Sequence, residues 1–476
     1  MNPLFVIIAS SLGVLVFSGA IALYIGNRNK GSENWQVGGR SLPMYVVIGT
    51  QFATAMGGGM LVAHVGIGYA AGWSTLSYGL ILSAGILTFV LIAPWLRSKN
   101  FTTLPDIIRE IYGNNPVLSG MTALMTIIVP FGWVATQLVA FGRLLEPITG
   151  ISPAILMFFL ALFSLVFIIP AGLTSIAWTD FIFGVGMLIM IVISSFMVIN
   201  MAGGWTEVIS SNPATSWELP SGLGAIGMLT IVLWTLSIIP GTLTNQMYYQ
   251  RIYAAKNTSS IRNILIATAG IIMLVEVWAA VMGMSIFAMN PNLAGPELAT
   301  GWFLTQVPTW FLALFTSFII ATIMSTVNSG VQSVVVNITR DLYQNHINPN
   351  VSEKKLLAMS RWTSVAIIAI AYVLATQFTG ALNWLVATYA YSASALLVPI
   401  FGGYLLRNTS IVTPYGAIGA MVFGILGTGI AHAMGTIIPY VIYGLALSLI
   451  GLFLVSFLTR NKDLKSKVLI EQKKPV

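Results

Sequence analysis

The sequence predicts an all-α integral membrane protein, and three observations carry that prediction. Hydrophobic residues make up 57% of the chain and charged residues only 7%, where soluble domains carry about 25% charge. Apolar runs of about twenty residues, long enough to cross a bilayer as helices, recur from end to end. Lipid tolerates only helices or closed barrels, and the short alternating segments of a barrel are absent.

Thirteen spans are expected, near 3–25, 44–69, 74–97, 118–142, 152–171, 178–201, 223–247, 262–288, 305–337, 359–377, 381–404, 412–432 and 436–458. The first run is longer than the core of a cleaved signal peptide and lacks its basic start, so it counts as a span. Basic residues orient the chain. With the N-terminus outside and the C-terminus inside, every Lys and Arg but Arg143 falls on the inner side, Arg251 and the tail 459–476 included. The net charge of +8 is therefore a topology signal and not a nucleic-acid footprint. There is no cysteine, and the three histidines form no metal motif. No nucleophile–base pair or phosphate loop appears, which argues against an enzyme and against a bound cofactor.

Two spans are interrupted. Gly57, Gly58 and Gly59 sit in the middle of the second, and each glycine weakens a helix by about 1 kcal/mol relative to alanine. Pro240-Gly241 interrupts the seventh, where proline removes a donor and clashes one turn back. Standing five spans apart, they divide the chain into two five-helix units, 44–201 and 223–404, of opposite orientation. The helix 3–25 precedes them and two helices at 412–458 follow, all in one transmembrane domain (1–476). Paired broken helices at matching positions point to a transporter's binding site. The plainer reading is that Gly and Pro are common in membrane helices.

The ninth span carries a polar stripe. Thr322, Ser325, Thr326, Ser329, Ser333 and Asn337 share one helical face. A hard cation needs oxygen ligands, which such a face supplies. Close helix packing by small residues is the competing account. Charges within spans are functional candidates by default. Asp180 is read as a cation ligand or as an acid favoured by a helix N-terminus. Glu276 is read as a solute or proton contact or as a buried bonded carboxyl, and Arg143 as a carboxylate clamp or an interfacial anchor. His64 is read as a satisfied polar residue and set aside.

These residues resemble the sodium:solute symporter family. The strongest match is MSTVNSGVQSVVVNITRDLY (324–343). NQMYYQRIYAAKN (245–257), GLTSIAWTD (172–180) and GRLLEPITGI (142–151) add to it. The resemblance implies a leucine-transporter-like fold of five plus five inverted helices. It implies a sodium ion held by the carbonyls of Ala53, Met56 and Thr322 and the hydroxyls of Ser325 and Thr326. A second sodium, known in some members, would fall to Asp180, Ser325, Asn328 and Ser329, with Asn328 where a serine is usual. Gly59, Met60, Gly241 and Thr242 replace the family's sugar contacts, and Phe183 its glutamine, so a sugar is not expected. With Arg143 and Glu276 they are the candidate solute contacts.

The expectation is a cell-membrane symporter that imports a small anionic or zwitterionic solute, a carboxylate or amino acid, with sodium. Proton coupling through Asp180 or Glu276 is one alternative. A membrane solute sensor on the same fold is another; the short tail argues against a built-in output domain.

Overall fold

The computed structural model describes residues 3–29, 31–168, 172–377 and 380–471, without the side chains of 166–168, 381 and 461–471. Lys30, Lys473, Lys474 and the end of the predicted fifth span lie outside the described residues.

The elements relevant here are α1 (Pro3–Arg28), α2 (Met44–Ala55), α3 (Met60–Ala71), α4 (Ser74–Thr88), α5 (Leu104–Tyr112), α6 (Pro116–Met125), α7 (Ile128–Thr149), α8 (Pro153–Ile168), α9 (Leu173–Met201), α10 (Met228–Leu243), α11 (Gln246–Ala254), α12 (Ile261–Met289), α13 (Thr309–Val336), α14 (Glu353–Gln377), α15 (Ala381–Leu397), α16 (Pro414–Ala433) and α17 (Tyr440–Glu471). Ten helices among the described residues are long and apolar enough to cross a membrane. Two bent pairs, α2 with α3 and α10 with α11, bring the number to twelve. A shorter apolar helix, Pro153–Leu165, occupies the place of the expected fifth span.

The break between α2 and α3 falls on the glycines, and the two halves meet at 60°. A Cβ on Gly57 would lie 2.5 Å from the Gln137 amide, and one on Gly58 2.6 Å from Ile323 Cγ1. Glycine is thus required by close packing as well as by the bend. The second break differs from the expectation. α10 runs through Pro240 and ends at Leu243, and the 42° bend follows at Thr244-Asn245. Thr244 Oγ1 donates to the carbonyls of Pro240 and Gly241, each at 3.2 Å. Asn245 Oδ1 then accepts from the Met247 amide and caps α11. A proline five residues before the cap is tolerated, and the cap sets the break.

α2 packs along α9, and α13 lies against α1, α7 and α9. α12 packs on α3 and α4, α10 on α4 and α15, and α16 with α17 forms a hairpin. The two broken pairs meet through Leu42, whose amide donates to Ala254 O (3.0 Å) and whose carbonyl accepts from Lys256 N (2.9 Å).

Candidate cation and solute site

A helix leaves its last four carbonyls without helical partners. At the end of α2 two of them meet α13. Ser325 Oγ donates to Ala53 O at 2.9 Å and to Thr322 O at 2.9 Å. Thr326 Oγ1 lies 3.1 Å from Thr54 O and 3.3 Å from Thr322 O. Met56, the last residue before the break, is fully buried beside them. Of the expected groups, the Ser325 hydroxyl bonds the carbonyls of Ala53 and Thr322, and the Thr326 hydroxyl that of Thr322. Thr54 is an addition that the sequence reading did not name. Every member of the polar stripe is buried at 0% exposure, but so is most of α13. Ser333 Oγ donates to Gln250 Oε1 at 2.5 Å, whereas both polar side-chain atoms of Asn337 are buried without a partner.

Asp180 lies well inside α9, not in its first turn, so a capping role does not describe it. Its Oδ2 accepts from Thr50 Oγ1 at 2.7 Å, from Ser329 Oγ at 3.3 Å and from Thr54 Oγ1 at 3.4 Å. Of the residues expected at a second cation site, Asp180 and Ser329 are together. Ser325 turns to the first site. Asn328 Oδ1 is buried without a partner. A cation is nonetheless present, and it belongs to the protein. Arg251 of α11 is 1% exposed; its Nη2 donates to Thr54 Oγ1 at 2.9 Å and also to Ser329 Oγ. Arg251, counted with the inner segments from the sequence, lies on a helix whose every residue is buried.

A small cavity of about 20 Å³ lies between α3, α4, α7 and α15, room for about one water molecule. Gly59 and Met60 line it, together with His64, Tyr78, Trp133, Gln137 and Tyr389. Gln137 Oε1 caps the break by accepting from the Gly58 amide. Gly241 and Thr242 stand behind the wall, Gly241 against the ring of Tyr389 and Thr242 against Gly85. Glu276 lies one shell further out, hydrogen-bonded to His64. Arg143 is elsewhere. It lines a separate groove of about 250 Å³ with Val139, Pro153, Met157 and Thr376. It is half-buried there and has no hydrogen bond or ion pair among the described residues. His64, read from the sequence as a satisfied polar residue, is hydrogen-bonded to Glu276 and lines the cavity.

Residues 35–424 match the model of the sodium:solute symporter family. The chain is 25% identical over 366 residues to the sodium/sialic acid symporter NanT of Aliivibrio fischeri, covering 73% of this chain and 72% of that one. It is 26% identical over 473 residues to the sodium/proline symporter of Salmonella typhimurium, covering 94% and 92%. Among solved structures it superposes on a Na+-coupled sialic acid symporter in a substrate-bound outward-open state with a TM-score of 0.80, at 17% identity over 95% of this chain and 98% of that one. The nucleobase-cation-symport transporter Mhp1, in a closed conformation, follows at 0.59, with 14% identity over 92% and 96%. Fold and site thus define a multi-pass membrane transporter and not an enzyme. The chain belongs to the sodium:solute symporter family.

Proposed function

We propose that the protein is a secondary active symporter of the cell membrane that imports a small carboxylate or amino acid with one sodium ion by alternating access. The observation that carries this is the seating of the Ser325 and Thr326 hydroxyls on the freed carbonyls of α2. Sodium would lie among the oxygens of Ala53, Met56, Thr322, Ser325 and Thr326, the two hydroxyls keeping their hydrogens, turned away from the ion, and offering it their lone pairs. Because the α2–α3 break borders both the sodium oxygens and the central cavity, occupancy of one favours the geometry the other needs. One sodium entering down 100 mV of inside-negative potential supplies about 2.3 kcal/mol before its concentration gradient is counted. A single sodium is favoured because Arg251 already provides positive charge beside Asp180.

In this reading the chain crosses thirteen times from an outer N-terminus. The segments 44–201 and 223–404 are the two inverted units, and the end of the bundle holding Arg40, Arg97 and Arg340 faces inward. The test is uptake by sealed proteoliposomes with sodium outside and an inside-negative potential, across a panel of amino acids and carboxylates. Accumulation of one of them only when the sodium gradient is present is expected. Uptake that is equal in potassium overturns the coupling.

A further inference from the structure

Three aromatic rings wall the central cavity, each from a different helix: Tyr78 of α4, Trp133 of α7 and Tyr389 of α15. All three side chains are buried. Trp133 and Tyr389 stand perpendicular, with centroids 6.0 Å apart. Among the described residues no Asp, Glu, Lys or Arg lines the cavity; Glu276 stands behind His64 and does not reach it. Two polar tips in this wall are unused. Trp133 Nε1 and Tyr389 OH are buried without a hydrogen-bond partner. An indole N–H can only donate, and a phenol both donates and accepts. The amide oxygen in the wall is already taken, because Gln137 Oε1 accepts from the Gly58 amide.

This inventory favours one kind of solute. A buried donor without an acceptor is costly, so a fitting solute brings acceptor oxygens to Trp133 Nε1–H and Tyr389 O–H. A carboxylate has two. The cationic end meets the opposite condition. A primary ammonium carries three N–H donors, and no carboxylate lines the cavity to receive them. Each methyl group on the nitrogen removes one donor and adds apolar surface, while the positive charge stays. Such a cation is attracted by aromatic rings, most strongly by indole and most of all where water is excluded. A short zwitterion can meet one ring at both ends, its cation on the face and its carboxylate at the polar edge. At about 20 Å³ the cavity holds about one water molecule, so α4, α7 and α15 must part to admit any such solute.

We propose that the transported solute is an N-methylated amino acid of the betaine type, its ammonium held among the rings of Tyr78, Trp133 and Tyr389 and its carboxylate accepting from Trp133 Nε1–H and Tyr389 O–H. This rests on the reading of the protein as a symporter whose solute site is the central cavity. Selectivity then comes from counting donors: the wall supplies them to the carboxylate and excludes solutes that bring their own.

The test uses the full chain in lipid nanodiscs at saturating sodium and pH 7, with labelled glycine, sarcosine, N,N-dimethylglycine and glycine betaine as probes. Affinity should rise along that series, by about tenfold or more from the first to the last. Tyr389→Phe keeps the ring and removes the hydroxyl, so it should weaken the members that bind by a similar factor and keep their order. Trp133→Leu removes a ring and should flatten the series. Binding of 22Na+ without probe, retained in both variants, shows that they fold. A wild-type series that is flat or falls with methylation overturns the proposal, and that measurement stands even if a variant fails to fold. Binding of no member while 22Na+ binds overturns it as well. Glycine betaine binding that neither substitution alters overturns the cavity as the solute's seat. Loss of 22Na+ binding by the wild type instead counts against the symporter reading.

Discussion

Arg251 Nη2 lies 3.8 Å from Asp180 Oδ2, with both side chains at 1% exposure or less. Thr54 and Ser329 bridge the two, each hydrogen-bonded to both. The arginine comes from α11 of the second broken pair and the aspartate from α9, so the contact ties these two helices together inside the bundle. Removing one partner of a buried pair leaves an uncompensated charge, which typically costs about 3–5 kcal/mol. Arg251→Leu is therefore expected to lower the thermal midpoint in detergent sharply. Arg251→Leu with Asp180→Asn should recover most of that loss. A double variant no better than the single one would mean the pair is not the source.

The same contact bears on stoichiometry. With a guanidinium beside Asp180, a second sodium would face direct repulsion, which grows in a low-dielectric interior. The sodium dependence of uptake is expected to have a Hill coefficient of one in the wild type and in a functional Asp180→Asn. A wild-type coefficient near two would require Arg251 to leave, and would restore the second site at Asp180, Asn328 and Ser329.

The principal cation site makes a sharper demand. Ser325→Ala with Thr326→Ala deletes two of the five proposed ligand oxygens and keeps the helix, since alanine is a good helix former. The double variant should reach the membrane at normal level and bind 22Na+ at least tenfold more weakly. Normal sodium affinity would move the site off α13.

Glycine at the α2 break gives a graded test. A Cβ at position 58 meets buried Ile323 at 2.6 Å and Ala140 at 3.1 Å, whereas one at 59 meets only Thr136 Cγ2 at 3.1 Å. The first forces the break away from α13, and the second asks a methyl group to give slightly. Gly58→Ala should therefore lose most sodium-stimulated uptake and Gly59→Ala should keep most of it. Equal losses would mean that backbone freedom, not packing, governs both positions.

What the sequence disclosed follows from how local each cause is. Three consecutive glycines break a helix whatever surrounds them, so the first interruption was legible. The second depends on Asn245 capping α11, and a proline nearby drew the eye five residues early. Arg251 follows an apolar run and reads as a flank; only tertiary contact shows that α11 folds back into the protein. The oxygens of α13 were recognisable by spacing, whereas Thr54 and His64 matter through partners distant in sequence. Arg143 was the reverse case, a charge with an obvious chemistry placed in a groove between α7, α8 and α14. Solute affinity in Arg143→Ala is accordingly expected to stay within about twofold of wild type.

The final prediction concerns the end of the bundle. Asp106 of α5 binds Arg109, and its carboxylate takes Arg340 at 3.1 Å. Arg340 also holds Asp341 at 2.9 Å, and Thr103 Oγ1 donates to Asp341 Oδ1 at 3.0 Å. The RDLY end of the long motif is thus pinned to the loop after α4. Burial pushes the Asp106 carboxyl up, but Arg340, Arg109 and the amides of Thr102 and Thr103 outweigh it and hold the group below the usual carboxylate value. A carboxyl with a depressed folded pKa stabilises the fold above its unfolded pKa, about 3.9. That contribution is lost as pH falls through the folded value. Thermal stability of the wild type should hold from neutral pH to about pH 4 as far as this group is concerned, then drop on further acidification. Asp106→Asn should be less stable than wild type at pH 7, with the difference closing in acid as the wild-type carboxyl protonates. An Asp106→Asn deficit that is the same at pH 7 and at pH 3 would show that the residue acts through its capping hydrogen bonds and not through its charge.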